Sequence, residues 1–169
     1  MVDAIDKVDT SGIDKVVCLQ AESHLPKMSE KRGEFLTQAT NKSLKILEKN
    51  NQGFFLVIEG ALIDWGGHDN DIDYVVAELL DFDKAVGIAF DYADTHPGTL
   101  VVVTADHETG GLAITGGRKG KIKTAFSTKG HSAALVPVFA YGAGSELFSG
   151  VYENTGIFNR IMKAFGFDR

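Results

Sequence analysis

Apolar positions fall into two patterns along the chain. Continuous runs occur at Val16-Val17-Cys18-Leu19, Phe54-Phe55-Leu56-Val57-Ile58, Leu100-Val101-Val102-Val103 and Val136-Pro137-Val138-Phe139-Ala140-Tyr141, as expected of strands covered on both faces. Strands are predicted at about 15–20, 54–59, 99–104 and 136–141, with Pro137 marking an edge or a strand start. Between these runs the apolar residues recur at helical period. Phe35, Leu36, Ala39, Leu44, Ile46 and Leu47 predict an amphipathic helix over 35–49, stopped at Asn50-Asn51. Ile72, Val75, Val76, Leu79, Leu80, Phe82, Val86, Ala89, Phe90 and Ala93 predict a longer one over 72–95, with N-cap oxygens at Asp69 to Asp71 and a stop at His96-Pro97-Gly98. A closing helix is expected over 154–165. Strand, helix and strand in succession predict a three-layer α/β/α fold with a mostly parallel central sheet, and the polar tips after the strands are where such sheets place ligands.

The remaining segments add little regular structure. Residues 1–13 read as irregular, and 112–130, with Gly116-Gly117, Gly120 and a run of basic residues, read as an exposed hairpin insertion. No repeat or linker divides the chain, so 1–169 is expected to be a single domain. A formal net charge of -6 argues against nucleic-acid or anionic-membrane partners and means that an anionic substrate would need metal ions in its pocket. Cys18, inside an apolar run, reads as a small buried hydrophobe. No apolar run reaches the roughly 18 residues of a membrane span, and Met1-Val2-Asp3 lacks the basic start of a signal peptide, so the chain as given is expected to be soluble.

Chemistry concentrates at two strand ends. Glu59 closes the run at 54–58, and Asp64 and His68 follow at i and i+4 across a Gly-rich segment that includes Gly60, Gly66 and Gly67. Asp106 and His107 follow the run at 100–103 and precede Gly110-Gly111, while His131 follows Lys129-Gly130. Imidazole and carboxylate donors suit zinc, which takes four ligands and in catalytic sites leaves one position open. Asp64, His68 and His131 could complete one such site, with Asp106 and His107 contributing to a second. Each residue alone has a plainer reading: Glu59 as a cap, Asp64 as an acceptor in a turn, His68 as a satisfied loop histidine. Two such clusters at two strand ends favour ligands. His24 and His96 lack such company and are assigned to loops.

The segments EGALIDWGGHDND, TADHETGG and KGHSAALVPVFAYG resemble, in order and spacing, the C-terminal metal-binding segments of the alkaline phosphatases, and the likeness runs from about Leu25 to the end. The resemblance implies an incomplete alkaline-phosphatase-like fold. It implies Asp64, His68 and His131 at a first zinc, Asp106 and His107 at a second zinc, and Glu59 at a magnesium site bordered by Trp65. The expected activity of the full-length parent is phosphomonoester hydrolysis with two Zn2+ and one Mg2+, in a periplasmic or extracellular setting, with small phosphomonoesters as substrates and a homo-oligomer as a possible assembly. The family's nucleophilic serine, its phosphate-binding arginine and the remaining magnesium ligands have no counterpart here; Ser11, in Val8-Asp9-Thr10-Ser11-Gly12, is read as loop. The chain is thus expected to be a C-terminal portion, inactive by itself, with no catalytic residue of its own, an empty magnesium site and a sheet edge or face left exposed. The alternatives are a metal-binding or structural domain without turnover, or a related two-metal mutase, sulfatase or phosphodiesterase.

Overall fold

In the computed structural model, which describes residues 4–167, the helices are α1 (Phe35–Leu47), α2 (Leu62–Asp69), α3 (Ile72–Thr95) and α4 (Gly156–Ala164). Six strands follow α3: β1 (Leu100–Val103), β2 (Glu108–Thr109), β3 (Ala113–Arg118), β4 (Lys121–Ala125), β5 (His131–Ser132) and β6 (Phe139–Gly142). The chain divides within α3 into two compact units, one up to Ile88 and one from Ala89.

In the first unit α1 turns Leu44, Ile46 and Thr40 into a core that also holds Val8, Leu62, Tyr74 and Ala85. Lys42 on α1 and Lys49 just beyond its end tie down the N-terminal segment: Lys42 Nζ donates to the carbonyls of Val8 (2.5 Å) and Asp6 (3.2 Å), and Lys49 Nζ to those of Thr10 and Ile13. Asp71 caps α3, its Oδ1 accepting the backbone N–H groups of Asp73 and Tyr74 at 3.0 and 3.1 Å. One turn further, Arg32 is clamped between Glu78 and Asp81, at 2.6 and 2.8 Å, with all three side chains at 8% exposure or less. Glu78 also accepts the Met28 N–H at 2.8 Å. This network, with two carboxylates to one guanidinium, fixes the 28–32 segment against α3.

In the second unit β1 and β6 pair antiparallel, Leu100 opposite Gly142 and Val103 opposite Phe139. β2 pairs with β5, and β3 with β4. The Tyr141 hydroxyl donates to Asp94 at 2.5 Å, which, with the negative charge beside it, raises the phenol's pKa. α4 is held by Arg160, whose guanidinium lies 3.5 Å from the Tyr152 ring centroid.

The chain combines helices and sheets as an α/β protein should, but its strand pattern differs from the expectation. Among the described residues the ladders are three two-stranded antiparallel pairs, with no parallel pairing. Residues 54–58 join neither a helix nor a ladder; Phe54, Leu56 and Ile58 are half-buried, whereas Phe55 and Val57 are 61% and 73% exposed. Residues 15–20 hold only an isolated bridge at Cys18, and Val16, Val17 and Leu19 are exposed. An apolar run suits a strand covered on both faces but does not say which segment supplies the cover, and here Phe55 and Val57 are left exposed.

Candidate metal centre

In the first unit the site is built on α2, where a loop was expected. Gly66 and Gly67 cost a helix interior about 1 kcal/mol each relative to Ala, yet both are buried here. A Cβ on Gly66 would come within 2.9 Å of the Val75 backbone N, so the missing side chain lets α2 lie directly against the start of α3. Asn70 closes α2 in the left-handed conformation (φ 56°), its N–H and its side-chain amide both donating to the Gly67 carbonyl at 3.1 and 3.0 Å. The helical period then places Asp64 and His68 one turn apart on one face, with Asp64 Oδ2 3.3 Å from His68 Nε2. Both are about one-third exposed or a little more. Trp65, beside Asp64, packs its ring against His24 at 4.7 Å between centroids. Glu59 is exposed and lies three residues ahead of Leu62, the first residue of α2.

In the second unit the chain turns sharply after β1. Asp106 Oδ1 accepts the His107 N–H at 3.1 Å, and Asp106 Oδ2 lies 3.2 Å from His107 Nε2, so adjacent residues point the same way. The His107 ring stacks on that of His131, with centroids 3.6 Å apart and planes 20° apart. Sequence reasoning passed over the residue that fixes this pair. Glu108 accepts the Ser132 hydroxyl and the N–H groups of Gly111 and Leu112, both at 3.1 Å. These bonds, that of Ser132 foremost, hold its carboxyl below the usual carboxylate range. Glu108 stands opposite Ser132, and Thr109 opposite His131, so the same carboxylate locks the strands carrying both rings. Thr109 Oγ1 lies 3.2 Å from His107 Nδ1 and sets that ring's second nitrogen. Part of the signal was local, since Glu108 stands just ahead of the turn whose Gly111 and Leu112 N–H groups it accepts, but the Ser132 bond is not.

Donor spacing tests whether these residues fit a metal. Two ligand atoms each about 2.0–2.1 Å from a tetrahedral zinc stand roughly 3.3 Å from each other. The Asp64–His68 and Asp106–His107 separations, 3.3 and 3.2 Å, match that edge. Ser11 is held in its loop by Asp9, whose carboxylate accepts both the Ser11 N–H and hydroxyl at 2.8 Å, and those bonds lower the Asp9 pKa.

Comparison with known proteins gives a consistent answer. The alkaline phosphatase family model matches residues 3–124. The chain is 30% identical to alkaline phosphatase 3 of Bacillus subtilis over 89% of its own length and 48% of that protein. It is 33% identical to streptomycin-6-phosphate phosphatase of Streptomyces griseus over 78% of its own length and 35% of that protein. The solved alkaline phosphatase of the Antarctic bacterium TAB5 superposes with a TM-score of 0.84 at 42% identity, over 96% of this chain and 51% of that one. A mutant of the TAB5 enzyme holds magnesium in its M3 site. The cold-active enzyme of a Shewanella species gives 0.87 at 28% identity, over 97% and 58%. The chain spans about half the length, or less, of the curated relatives it matches.

Proposed function

The chain belongs to the alkaline phosphatase family, and from that premise we propose that it supplies the metal-ligand share of phosphomonoester hydrolysis by two zinc ions. Asp64 and His68, with His131, hold the first zinc; Asp106 and His107 contribute to the second; Glu59 is one ligand of a magnesium ion. The observation that carries this reading is the pair of acid–histidine separations, 3.3 and 3.2 Å, each the edge of a tetrahedral zinc shell.

Zinc held there supplies Lewis acidity, drawing charge from the phosphoryl oxygens in the transition state. The chain's own residues do the holding. The Gly66 contact anchors α2 and so aims Asp64 and His68, whereas Glu108 and Thr109 set the orientation of His107 and His131. The nucleophile and the phosphate-binding cation belong to the rest of the whole protein, whose substrates are small phosphomonoesters and whose setting is periplasmic or extracellular. No helix among the described residues is long and apolar enough to cross a membrane. The 169-residue chain alone binds zinc without enzyme-like turnover.

The test is zinc titration by calorimetry beside a chromogenic phosphate-ester assay at alkaline pH. The expected result is zinc binding that His131→Ala weakens, with no turnover. Zinc-dependent turnover abolished by His131→Ala would place a nucleophile within these residues, and failure to bind zinc at all would overturn the ligand assignment.

A further inference from the structure

Between the two stacked histidines the chain makes one excursion, the β3–β4 hairpin, whose feet are tied by Gly110 N–H to the Gly130 carbonyl (2.9 Å) and by Ser127 and Thr128 N–H to the Gly110 carbonyl (3.0 and 3.2 Å). Residues 112–130 contain no acidic side chain and five basic ones, Arg118, Lys119, Lys121, Lys123 and Lys129. Of the chain's 17 basic residues that leaves 12 elsewhere, against all 23 acidic ones. The hairpin is therefore the positive part of an otherwise strongly negative protein.

Its register sharpens the point. Arg118 stands directly opposite Lys121, and Lys123 lies two residues further along the same strand, so these three share one face. Like charges in direct opposition destabilise a strand pair. Among the described residues no carboxylate forms an ion pair with Arg118, Lys119, Lys121 or Lys123. The strands approach closely within the ladder: Gly117 (φ 147°), near the end of β3, could not carry a Cβ, which would fall 2.6 Å from the Lys121 carbonyl oxygen. An exposed hairpin with three cations on one face and none neutralised is an arrangement that an external anion completes.

We infer that the Arg118–Lys121–Lys123 face, at the turn end of the hairpin, is a collecting site for multiply phosphorylated small molecules. The substrate part of this inference rests on the phosphatase reading above. It narrows the substrate class to phosphomonoesters carrying further phosphate groups, because a single phosphate, already the concern of the metal site, would not need three more cations. A compact polyanion is favoured over an extended nucleic acid. A six-residue strand is about 20 Å long, so a polymer longer than the hairpin would run on to a chain whose other residues are mostly acidic. Attraction at this range works within a Debye length and raises the local concentration of anion rather than gripping it in a pocket.

The test uses the 169-residue chain in the presence of a chelator, so that no metal bridges the partners, with inositol hexakisphosphate as the calorimetric probe. Binding is expected at low ionic strength and is expected to weaken as salt rises. Arg118→Gln/Lys121→Gln/Lys123→Gln should lower the affinity about tenfold, the scale of losing three surface charge contacts. A charge-matched control, Lys45→Gln/Lys84→Gln/Lys163→Gln, all at exposed positions, should keep it. Equal loss in the control, no loss in the hairpin variant, or no binding at low salt would overturn the inference. Tighter binding of a charge-matched 5′-hydroxyl single-stranded oligonucleotide would replace the small polyanion with a nucleic acid. Because these titrations contain no zinc, their failure speaks to the hairpin alone, whereas the phosphatase reading fails on the zinc titration.

Discussion

The Ser132 hydroxyl donates to the Glu108 carboxylate across the two-residue ladder that joins β2 to β5, and this bond closes the strands on which His107 and His131 stack. Because the bond is made to the charged carboxylate, it lowers the folded-state pKa. The sign then follows. A depressed carboxyl contributes stability that is fully present above its unfolded value, 4.5, and is lost as pH falls through the lower folded value. Glu108→Gln removes this titration. Melting temperatures of wild type and Glu108→Gln should differ by a constant amount above about pH 5.5 and converge as the solution is acidified below the unfolded value. Parallel curves through the acid limb would show that Glu108 is not linked to folding.

Removing Arg32 should be the most damaging single truncation in the first unit. Glu78 and Asp81 are 3% and 2% exposed and share that one guanidinium. Arg32→Met keeps the length but strands two buried carboxylates, and a broken buried ion pair costs about 3–5 kcal/mol. Urea denaturation should show a midpoint shift of that size. A shift under about 1 kcal/mol would mean that water reaches the carboxylates.

Gly66→Ala sets two effects against each other. Helix propensity favours Ala by about 1 kcal/mol, but the new Cβ would stand 2.9 Å from both the Val75 N and Cγ2. Backbone cannot move aside as a side-chain end can, and overpacking of this kind costs about 1–3 kcal/mol. The clash should win. Gly66→Ala is expected to lower stability and to weaken zinc binding, since α2 must shift and carries Asp64 and His68 with it. Unchanged stability would show that α2 has room to slide.

The extent of the two long helices was legible from their apolar period, and Leu44 and Ile46 of α1 are buried as it predicts, but α3 buries Tyr74, Glu78, Asp81 and Ala85 whereas Leu79, part of its apolar period, is 49% exposed. Asp64 and His68 were legible for the same reason, although Gly66-Gly67 concealed the helix between them: glycine in a helix is unfavourable unless a neighbouring backbone needs the space, and Val75 is invisible as a neighbour until the chain is folded. The strands were half legible. Leu100 to Val103 gave away β1, but nothing in Val136 to Tyr141 says that its partner runs antiparallel to it, and the exposed Phe55 and Val57 show an apolar run whose second face is not covered by these residues. Glu108 escaped because its role depends on Ser132, a contact across a hairpin and not along the chain.

Metal should act as a ligand that binds the folded state alone. For one site, zinc at 100 times its dissociation constant adds about 2.7 kcal/mol of stability by mass action, enough to raise the melting temperature of a chain of this size by several degrees. Chelator should reverse the rise completely. Asp64→Asn separates coordination from packing: it keeps the volume of a side chain that is 34% exposed, so the metal-free melting temperature should hardly change, while the zinc-induced rise should fall sharply because an amide oxygen is a far poorer zinc ligand than a carboxylate. His107→Gln makes the complementary change in the second unit and should reduce whatever rise remains in Asp64→Asn. A zinc-induced rise that survives both substitutions would place the ion on other residues, and the tetrahedral-edge separations at Asp64–His68 and Asp106–His107 would then be ordinary hydrogen bonds.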